Sequence, residues 1–447
     1  MTEETKPVLL VCASPASGHI MPVKAISKAL IARGYEITFV SGTTFGPGIK
    51  DIGATFFPLE GLSNFDDDID KYFPERSSYA PGLPRILYDL EHIFIRSMVS
   101  QWETQQKALK QVREHYPGRK VVLLSEGAFL GTIPTLSGSP GLLPDATLAL
   151  GGMPVVLTSR NLPPFGSALP PDNSPDGHIR CKAMQDGFMQ TMAAPIELYR
   201  KTLKELGSKV HQEWCFDTIY LVPDRFIQFC PPSVEFPRPD APDTIRFAGG
   251  LPHGHRDPMT DPPSWWSEVT GNPNKKRIVF VCQGTVQLDY NELIIPTMEG
   301  LKDEQDVLVV VALGKKGAKL PESYAVPENA RVADFIPFDE VLPLSDVFVT
   351  NGGYGGFQHG VSNGTPLAIG GATEDKPDVA CRAEWCGIGI NLKTGTPTPE
   401  AVKEAVKSLL TDPKYKKRAL ELQEEMQSFD PISVLIENMN EVLAEKK

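Results

Sequence analysis

The chain has 447 residues, and its 44 Lys and Arg residues against 56 Asp and Glu residues give a net charge of −12 at pH 7. Hydrophobic residues make up 41% and charged residues 22%, which is typical of a globular protein and excludes a disordered chain. The negative charge argues against nucleic acid or an anionic membrane as the main partner. A chain of this length is expected to form two large domains or about three smaller ones.

The seven cysteines show no paired spacing, so a disulfide framework is not expected. The acidic start of the chain lacks the basic lead of a signal peptide, and no apolar run reaches the length of a membrane span. These features predict a cytoplasmic protein without stable membrane insertion.

The beginning of the chain has the pattern of a β-α-β unit. The apolar run 8–12 predicts a strand covered on both faces, and apolar residues at helical spacing follow over 23–31. Further strands are expected at 37–40, 54–59 and 121–124. This alternation predicts an α/β fold with a parallel sheet and helices on both of its faces.

A proline-rich segment divides the chain into two halves. Residues 237–263 contain many prolines and few periodic apolar residues, which is typical of a linker. Beyond it the β-α-β rhythm returns, with strands expected at 277–282, 307–312, 331–336 and 346–350. The two halves therefore predict two Rossmann-like domains.

The segment 350–376, TNGGYGGFQHGVSNGTPLAIGGATEDK, is the most informative part of the second half. A strand is expected to end at Thr350, and a helix should follow the glycines and continue to about Asn363. Backbone N–H groups at such a helix start can bind an anion, so the segment is a candidate pyrophosphate site. Its spacing matches neither the dinucleotide-binding motif nor the P-loop. Taken alone, the glycines are more typical of a flexible turn.

The same segment resembles the nucleotide-sugar signature of family 1 glycosyltransferases, the UDP-glycosyltransferases of the GT-B fold. Asn351 stands at the family's His position, Tyr354 at its Trp position and 364–366 at its Gly-x-Pro. Asp375 and Lys376 stand at its closing Asp-Gln. The register has no gaps, and the Asn-Gly-Gly-Tyr-Gly-Gly sequence is similar to that of fungal UDP-glucosyltransferases.

The resemblance extends to other parts of the chain. Phe335 and Ile336 stand where the family has an aromatic residue that stacks on uracil and a residue whose backbone binds the base. Gly284 and Thr285 resemble the family's strand-loop beside the phosphates. Near the start of the chain, His19 lies in a Gly-His-x-x-Pro motif that the family also has.

This resemblance covers nearly the whole chain and implies the GT-B architecture, in which two Rossmann-like domains with parallel sheets face each other. Residues 1–250 would then bind the acceptor and residues 251–425 the UDP-sugar. Residues 426–447 would form a helix that packs back on the first domain.

His19 is the candidate catalytic base. It follows the first strand, at the carboxyl edge where open α/β sheets bind ligands. An imidazole near its ordinary pKa can take a proton from a hydroxyl at neutral pH. Most lone histidines are packing or loop residues, and here the motif favours catalysis. An Asp orients this His in the family; Glu126 stands in its place, either as the partner of His19 or as an ordinary strand-end carboxylate.

The remaining donor contacts are implied by the resemblance. Asp375, or its neighbour Glu374, would accept hydrogen bonds from sugar hydroxyls, and Lys376 would donate one in place of the family's Gln. His359 replaces the family's Glu at the ribose, where Gln358 is the alternative. The expected donor-binding residues are Gly284, Thr285, Phe335, Ile336, Asn351, Gly353, Gly355, Gly356, His359, Glu374, Asp375 and Lys376.

No metal site and no cofactor are expected, because the UDP-sugar is a co-substrate. Residues 66–68 contain Asp-x-Asp, a metal motif of the other glycosyltransferase fold, but they are far in sequence from the glycine-rich segment. A solvated acidic loop is the favoured interpretation. His253 and His255, in the proline-rich segment, are too few ligands for a metal site.

These features predict an inverting glycosyltransferase that moves glucose from UDP-glucose to a hydroxyl of an apolar small molecule, such as a phenol, a sterol or a lipid. The loop 153–176, with Leu162, Phe165 and Leu169, and Phe188 of the predicted helix 180–209 would line a roomy apolar acceptor pocket. One alternative is a nucleotide-sugar-binding protein without catalysis, against which the intact His19 argues. The other is a different GT-B enzyme, such as a sugar-nucleotide epimerase.

Overall fold

Two parallel sheets, one in each half of the chain, form the framework of the protein. The computed structural model describes residues 6–80, 82–252, 259, 261–284 and 287–446. Within these residues every strand pair is parallel, as the alternating sequence pattern predicts. The α/β class is therefore confirmed.

The first sheet is built from strands between residues 8 and 247. Its strand order is β3-β2-β1-β4-β5-β6-β7, so β1 and β4 lie side by side in the middle of the sheet. The strands are β1 (Val8–Cys12), β2 (Ile37–Ser41), β3 (Thr55–Pro58), β4 (Val121–Glu126), β5 (Ala146–Gly151), β6 (Arg225–Gln228) and β7 (Ile245–Phe247).

The second sheet is built from strands between residues 277 and 391, in the order β10-β9-β8-β11-β12-β13. The prediction of a strand over 331–336 was too long, since β10 ends at Ala333. The Asp334 carboxylate accepts the N–H of Phe335 at 2.8 Å and so ends the ladder. The strands are β8 (Arg277–Cys282), β9 (Val307–Ala312), β10 (Ala330–Ala333), β11 (Val347–Thr350), β12 (Leu367–Ile369) and β13 (Gly389–Asn391).

Helices cover both sheets. Those in the first half are α1 (Ser17–Ala32), α2 (Gly46–Lys50), α3 (Ile69–Tyr72), α4 (Leu83–Asp89), α5 (Ser97–His115), α6 (Thr132–Leu136), α7 (Pro175–Thr191), α8 (Ala193–Glu205) and α9 (Cys215–Leu221). Those in the second half are α10 (Trp266–Thr270), α11 (Ile294–Leu301), α12 (Phe338–Val341), α13 (Tyr354–Ser362), α14 (Lys376–Trp385), α15 (Pro399–Thr411), α16 (Pro413–Gln427) and α17 (Pro431–Glu445).

The helix expected over 180–209 is two helices rather than one. α7 ends at Thr191 and α8 begins at Ala193, with Met192 between them. Pro195 has no N–H to donate to the carbonyl four residues before it, so the helical ladder is interrupted at this point. The two helices pack beside the loop 153–176, which precedes them.

The central strands are buried on both faces, which explains their continuous apolar runs. β1 and β4 each consist of buried residues throughout. The last helix, α17, packs Ile432, Leu435 and Met439 into the core that lies under α1 and the first sheet. Asp430 caps α17 and forms an ion pair with Arg33 of the first half at 2.9 Å. The C-terminal helix thus returns to the first domain.

No helix among the described residues has the length and apolar composition needed to cross a membrane. All seven cysteines are among the described residues, and all are buried and unpaired.

Candidate active site

The two candidate catalytic residues meet at the carboxyl edge of the first sheet. β1 and β4 are neighbours, with Cys12 opposite Ser125, so the turn after β1 lies beside the last residue of β4. Nδ1 of His19 lies 2.8 Å from Oε1 of Glu126. Glu126 is buried, whereas His19 keeps 21% of its side chain exposed. The structure therefore brings the two residues together and leaves the imidazole partly accessible.

Glu126 is well placed to orient the imidazole. Its Oε1 atom also accepts the backbone N–H of Ala128 at 2.9 Å, and its Oε2 atom is buried without a partner among the described residues. A carboxylate can only accept hydrogen bonds, so Nδ1 of His19 donates. Nε2 then carries the lone pair that a general base requires.

A third carboxylate reaches the start of the helix that carries His19. Helix α1 begins at Ser17, and Ala16 at the N-cap position has no side-chain acceptor. The Asp67 carboxylate accepts the N–H of Ser17 at 2.7 Å and its hydroxyl at 2.5 Å. The carboxylate thus binds an N–H group that has no partner within α1, and its negative charge interacts favourably with the dipole of that helix. Sequence reasoning missed this role because Asp67 lies 50 residues from Ser17 in the chain.

Asp67 and Asp68 of the acidic loop 66–68 are exposed, as expected of a solvated loop, and hydrogen bonds also hold the loop to its surroundings. Asp66 accepts hydrogen bonds from the hydroxyls of Thr44 at 3.1 Å and Tyr72 at 2.9 Å. Among the described residues, no group of three His, Cys, Asp or Glu side chains could hold a metal ion. The sequence pair His253 and His255 lies outside the described residues.

Charges from both domains act on His19. Burial lowers the pKa of the imidazole, but the charge and hydrogen bond of Glu126 act in the opposite direction, and the pKa is raised above its ordinary value of 6.5. The carboxylates of Asp375 and Asp67 add to this increase. Burial also raises the pKa of Asp375, against the effect of Lys376. Asp375 belongs to the second domain, so the two candidate sites face each other.

The glycine-rich segment forms a sharp turn between β11 and α13. Gly352 has a φ of +84°, and a Cβ there would lie 2.6 Å from Ile369. Nδ2 of Asn351 donates to the carbonyl of Gln283 at 2.5 Å, and its Oδ1 accepts the N–H of Gly353 at 3.3 Å. In this structure the Asn351 amide therefore joins the ends of β8 and β11.

The start of α13 presents unpaired N–H groups. Gly353 is the N-cap residue, and its carbonyl accepts the hydrogen bond of Phe357. The N–H groups of the first turn have no partner within the helix. Gly355 is exposed, and a Cβ on it would meet no atom within 4 Å, whereas Gly356 lies against Thr350. An anion can therefore approach this backbone closely.

The residues expected to bind the base follow β10, and those expected beside the phosphates follow β8. Phe335 keeps 41% of its surface exposed, so its ring is available for stacking, and Ile336 is buried. Gly284 has a φ of +82° at the turn after β8. Thr285 lies outside the described residues.

His359 and Gln358 have different surroundings. Nδ1 of His359 lies 3.1 Å from Oδ1 of Asp339, and the ring stays partly exposed. Gln358 donates its amide N–H to the backbone carbonyl of Phe229, in the first domain, at 2.7 Å. This donor is occupied at the domain interface, whereas Oε1 of Gln358 is buried without a partner among the described residues, so Gln358 as the ribose contact stays a prediction.

The candidate sugar-binding residues lie at the start of α14. Asp375 is its N-cap residue and is partly buried. Lys376 forms an ion pair with Glu374 and donates to the hydroxyl of Thr373 at 2.9 Å. Glu374 is exposed and has a φ of +57°. Of the three candidates, Asp375 is the one whose charge acts on His19.

Only some apolar residues of the loop 153–176, which was expected to line the acceptor pocket, are exposed. Leu162 is buried against Phe236 and Cys381, so its assignment to the pocket was wrong. Phe188 packs edge-on against Trp214 at 5.3 Å between ring centroids and is partly buried against the core. Leu169 is exposed. The apolar pattern could not distinguish residues that pack the domain interface from residues that face the cleft.

Solved structures share this architecture. The glycosyltransferase of kitacinnamycin superposes with a TM-score of 0.70 at 19% identity, covering 98% of this chain and 100% of that chain. The glycosyltransferase SnogD from Streptomyces nogalater gives a TM-score of 0.64 at 16% identity, covering 98% and 100%. The fold, with its two facing sheets and the site between them, is therefore the GT-B fold of glycosyltransferases, as predicted.

Sequence relatives identify the family. Residues 298–440 match the family model described as "Erythromycin biosynthesis protein CIII-like, C-terminal domain". The chain is 41% identical to UDP-glucosyltransferase A1 of Starmerella bombicola, over 98% of this chain and 92% of that protein. It is 36% identical to UDP-glucosyltransferase 1 of Beauveria bassiana, over 95% and 93%. The chain belongs to the UDP-glycosyltransferases and is a UDP-dependent glycosyltransferase.

Proposed function

We propose that this enzyme transfers glucose from UDP-glucose to a hydroxyl group of an apolar small molecule, with inversion at the anomeric carbon and His19 as the general base. The observation that carries the proposal is the 2.8 Å contact between His19 and Glu126, together with the charge of Asp375 acting from the opposite domain. A base on one side of the cleft and a carboxylate on the other flank the space in which an acceptor hydroxyl and a donor sugar would meet.

In the proposed reaction, Nε2 of His19 takes the proton of the acceptor hydroxyl while the oxygen attacks C1 of glucose. The new C–O bond forms as the bond between C1 and the β-phosphate oxygen of UDP breaks. Attack from the face opposite UDP inverts the anomeric centre. Glu126 stabilises the imidazolium that forms, because its carboxylate accepts the hydrogen bond from Nδ1.

The leaving UDP carries negative charge, and backbone groups can stabilise it without a metal. The open N–H groups around Gly355 and Gly356 and the dipole of α13 are suited to a diphosphate. Treatment with EDTA should therefore leave activity nearly unchanged. A large loss that manganese restores would contradict this proposal and would support a metal role for residues 66–68.

Glucose as the transferred sugar is supported by the names of the two relatives described above, both of which are UDP-glucosyltransferases. In this proposal Asp375 accepts hydrogen bonds from two sugar hydroxyls, with Glu374 and Lys376 beside it. Phe335 stacks on uracil, and His359 lies near the ribose.

The acceptor is proposed to be a phenol, a sterol or a lipid with a free hydroxyl. Apolar residues of the loop 153–176 that are not packed in the interior, such as Phe165 and Leu169, support an apolar acceptor. A cytoplasmic location belongs to the same proposal, and the buried, unpaired cysteines support a reducing compartment.

An acceptor screen with UDP-glucose, followed by UDP release, tests the function. His19→Ala should abolish transfer, whereas UDP binding should persist because the nucleotide site lies in the other domain. Wild-type turnover in this variant would refute the assigned mechanism. Binding of UDP-glucose without transfer to any phenol, sterol or hydroxylated lipid would favour a binding protein, and conversion to another UDP-sugar would favour an epimerase.

A further inference from the structure

Helix α14 connects the donor side of the cleft with the acceptor loop. It begins just after Asp375, and Asp378 in its first turn faces the first domain. Oδ2 of Asp378 accepts the N–H of Gly166 at 2.9 Å, and the backbone N–H of Ala168 also interacts with this carboxylate. The acceptor loop 153–176 is therefore bound, at this point, to a helix of the opposite domain.

The loop adopts an unusual backbone conformation where it meets Asp378. Gly166 has a φ of +91° and Ala168 a φ of +53°. Residues with a Cβ rarely adopt positive φ values, and such a conformation persists only where the surroundings hold it. The Asp378 carboxylate contacts the loop at this strained point, with its one hydrogen bond to Gly166.

A second attachment lies one turn further along α14. Arg382 is fully buried; its Nε donates to Oε2 of Glu235 and its guanidinium donates to the carbonyl of Val155, each at 3.0 Å. Oε1 of Glu235 accepts the N–H of Val155 at 3.0 Å. The guanidinium also lies 4.4 Å from the ring centroid of Phe236. This buried cluster fixes the beginning of the acceptor loop on the same helix.

We propose that Asp378 is a positioning residue that couples the two substrate sites. It holds the acceptor loop, in the conformation that forms the acceptor pocket, against the helix that begins at the donor sugar. The inference rests on the proposed function, which assigns the Asp375 end of α14 to the sugar. α14 has 10 residues and acts as a rigid element, so a donor that orders its first turn also orders the loop. The acceptor then binds more tightly after the donor than before it, and the coupling is reciprocal.

Hydrogen exchange of the full chain, with UDP-glucose as the probe, tests this coupling without a known acceptor. In the wild type, the amides of Gly166 and Ala168 should exchange slowly, and more slowly with UDP-glucose. In Asp378→Ala, exchange of the peptide 162–170 should rise by about tenfold or more, because its hydrogen-bond acceptor is lost. The slowing by UDP-glucose should disappear as well.

Two further variants make the test specific. Asp378→Asn keeps one carbonyl acceptor and should give an intermediate exchange rate; it also carries the test if the Ala variant does not fold. Glu384→Gln is the matched control, because Glu384 is an exposed carboxylate of the same helix that pairs with Lys393 at 3.8 Å. In this control variant, the amides of the peptide 162–170 should exchange at the wild-type rate.

The peptide 351–357, at the start of α13, reports donor binding independently of the loop. If UDP-glucose protects this peptide but the loop exchanges equally fast in the wild type and the Asp378 variants, the coupling is overturned and the proposed function stays intact. Absence of protection in both peptides of the wild type would instead refute the proposed function and, with it, the coupling. With an acceptor from the screen, Asp378→Ala should raise the acceptor KM far more than it changes kcat, whereas the Kd of UDP should stay unchanged.

Discussion

The carboxylate of Asp67 accepts hydrogen bonds from both the backbone N–H and the hydroxyl of Ser17, across a sequence separation of 50 residues. His19 lies in the same helical turn, so Asp67 fixes the start of the helix that carries the candidate base. Its negative charge also raises the pKa of the imidazole. A stretch that resembles a metal motif in the sequence is therefore a helix cap in the fold.

Asp67→Asn should separate these two effects. The amide oxygen can still accept a hydrogen bond from Ser17, but the charge is lost, so the acid limb of the kcat/KM profile should move to lower pH. Asp67→Ala removes the cap as well and should lower the free energy of unfolding by about 1 kcal/mol. Asp68→Asn is the control, because Asp68 makes no side-chain cap. An unchanged pH profile in both Asp67 variants would show that the charge does not reach His19.

The pH dependence of activity should follow the pKa of His19. The base acts in its neutral form, so kcat/KM should fall as the pH decreases through a pKa that lies above 6.5. Glu126→Gln removes the main charge that raises this pKa, so the acid limb should move to lower pH. The Gln amide can donate to Nδ1 and favour the wrong tautomer, so the plateau kcat should fall by roughly a factor of 10² to 10⁴. An unaltered plateau would make Glu126 an ordinary strand-end carboxylate.

Stability should also depend on the protonation of His19. The imidazole binds its proton more tightly in the folded chain than in the unfolded chain, where its pKa has the ordinary value of 6.5. This contribution is complete below that pKa and is lost as the pH rises through the higher pKa of the folded protein. Urea unfolding of wild type and His19→Gln should therefore differ most at low pH. A difference that is constant between about pH 5.5 and about pH 9 would contradict the raised pKa.

Asp375→Ala should weaken binding of the sugar and not of the nucleotide. Hydrogen bonds to a charged acceptor contribute about 1.5–3 kcal/mol each, so kcat/KM for UDP-glucose should fall about tenfold or more. Free UDP lacks the sugar, and its affinity should barely change. Calorimetric titration of both ligands into wild type and variant measures the difference. Equal weakening of both would remove Asp375 from the sugar site and leave Glu374 as the candidate.

The buried pair of Glu235 and Arg382 should be important for stability. Glu235→Gln removes the carboxylate that pairs with two buried guanidinium groups, those of Arg382 and Arg238, which is expected to lower the free energy of unfolding by about 3–5 kcal/mol. The partly exposed pair of Glu268 and Arg331 is the control, since Glu268→Gln should change stability far less. Urea denaturation of the two variants provides the comparison. Similar small losses in both would mean that the buried pair is compensated by other contacts.

Local patterns in the sequence were enough to predict most of the framework. Continuous apolar runs identified the central strands, since residues such as Val8 and Val121 are buried on both faces of a sheet. Glycines identified the turn before α13, because positive φ at Gly352 restricts which residue can stand there. His19 and the glycine-rich segment could be singled out as candidate sites for the same reason: their signals involve residues close together in the chain.

The tertiary structure decided which side chains surround these elements. Glu126 contacts His19 across 107 residues and Arg382 contacts Glu235 across 147, and neither contact leaves a pattern in the intervening sequence. Such contacts depend on which strands are neighbours, in which register, and on how the two domains meet. Packing likewise decided that the amide of Gln358 donates to Phe229 in the other domain and that the exposed Asp67 caps α1. The sequence by itself determined the elements and their type; the packing of those elements determined the partners of each polar group, because hydrogen bonds form between atoms that are close in space, wherever they lie in the chain.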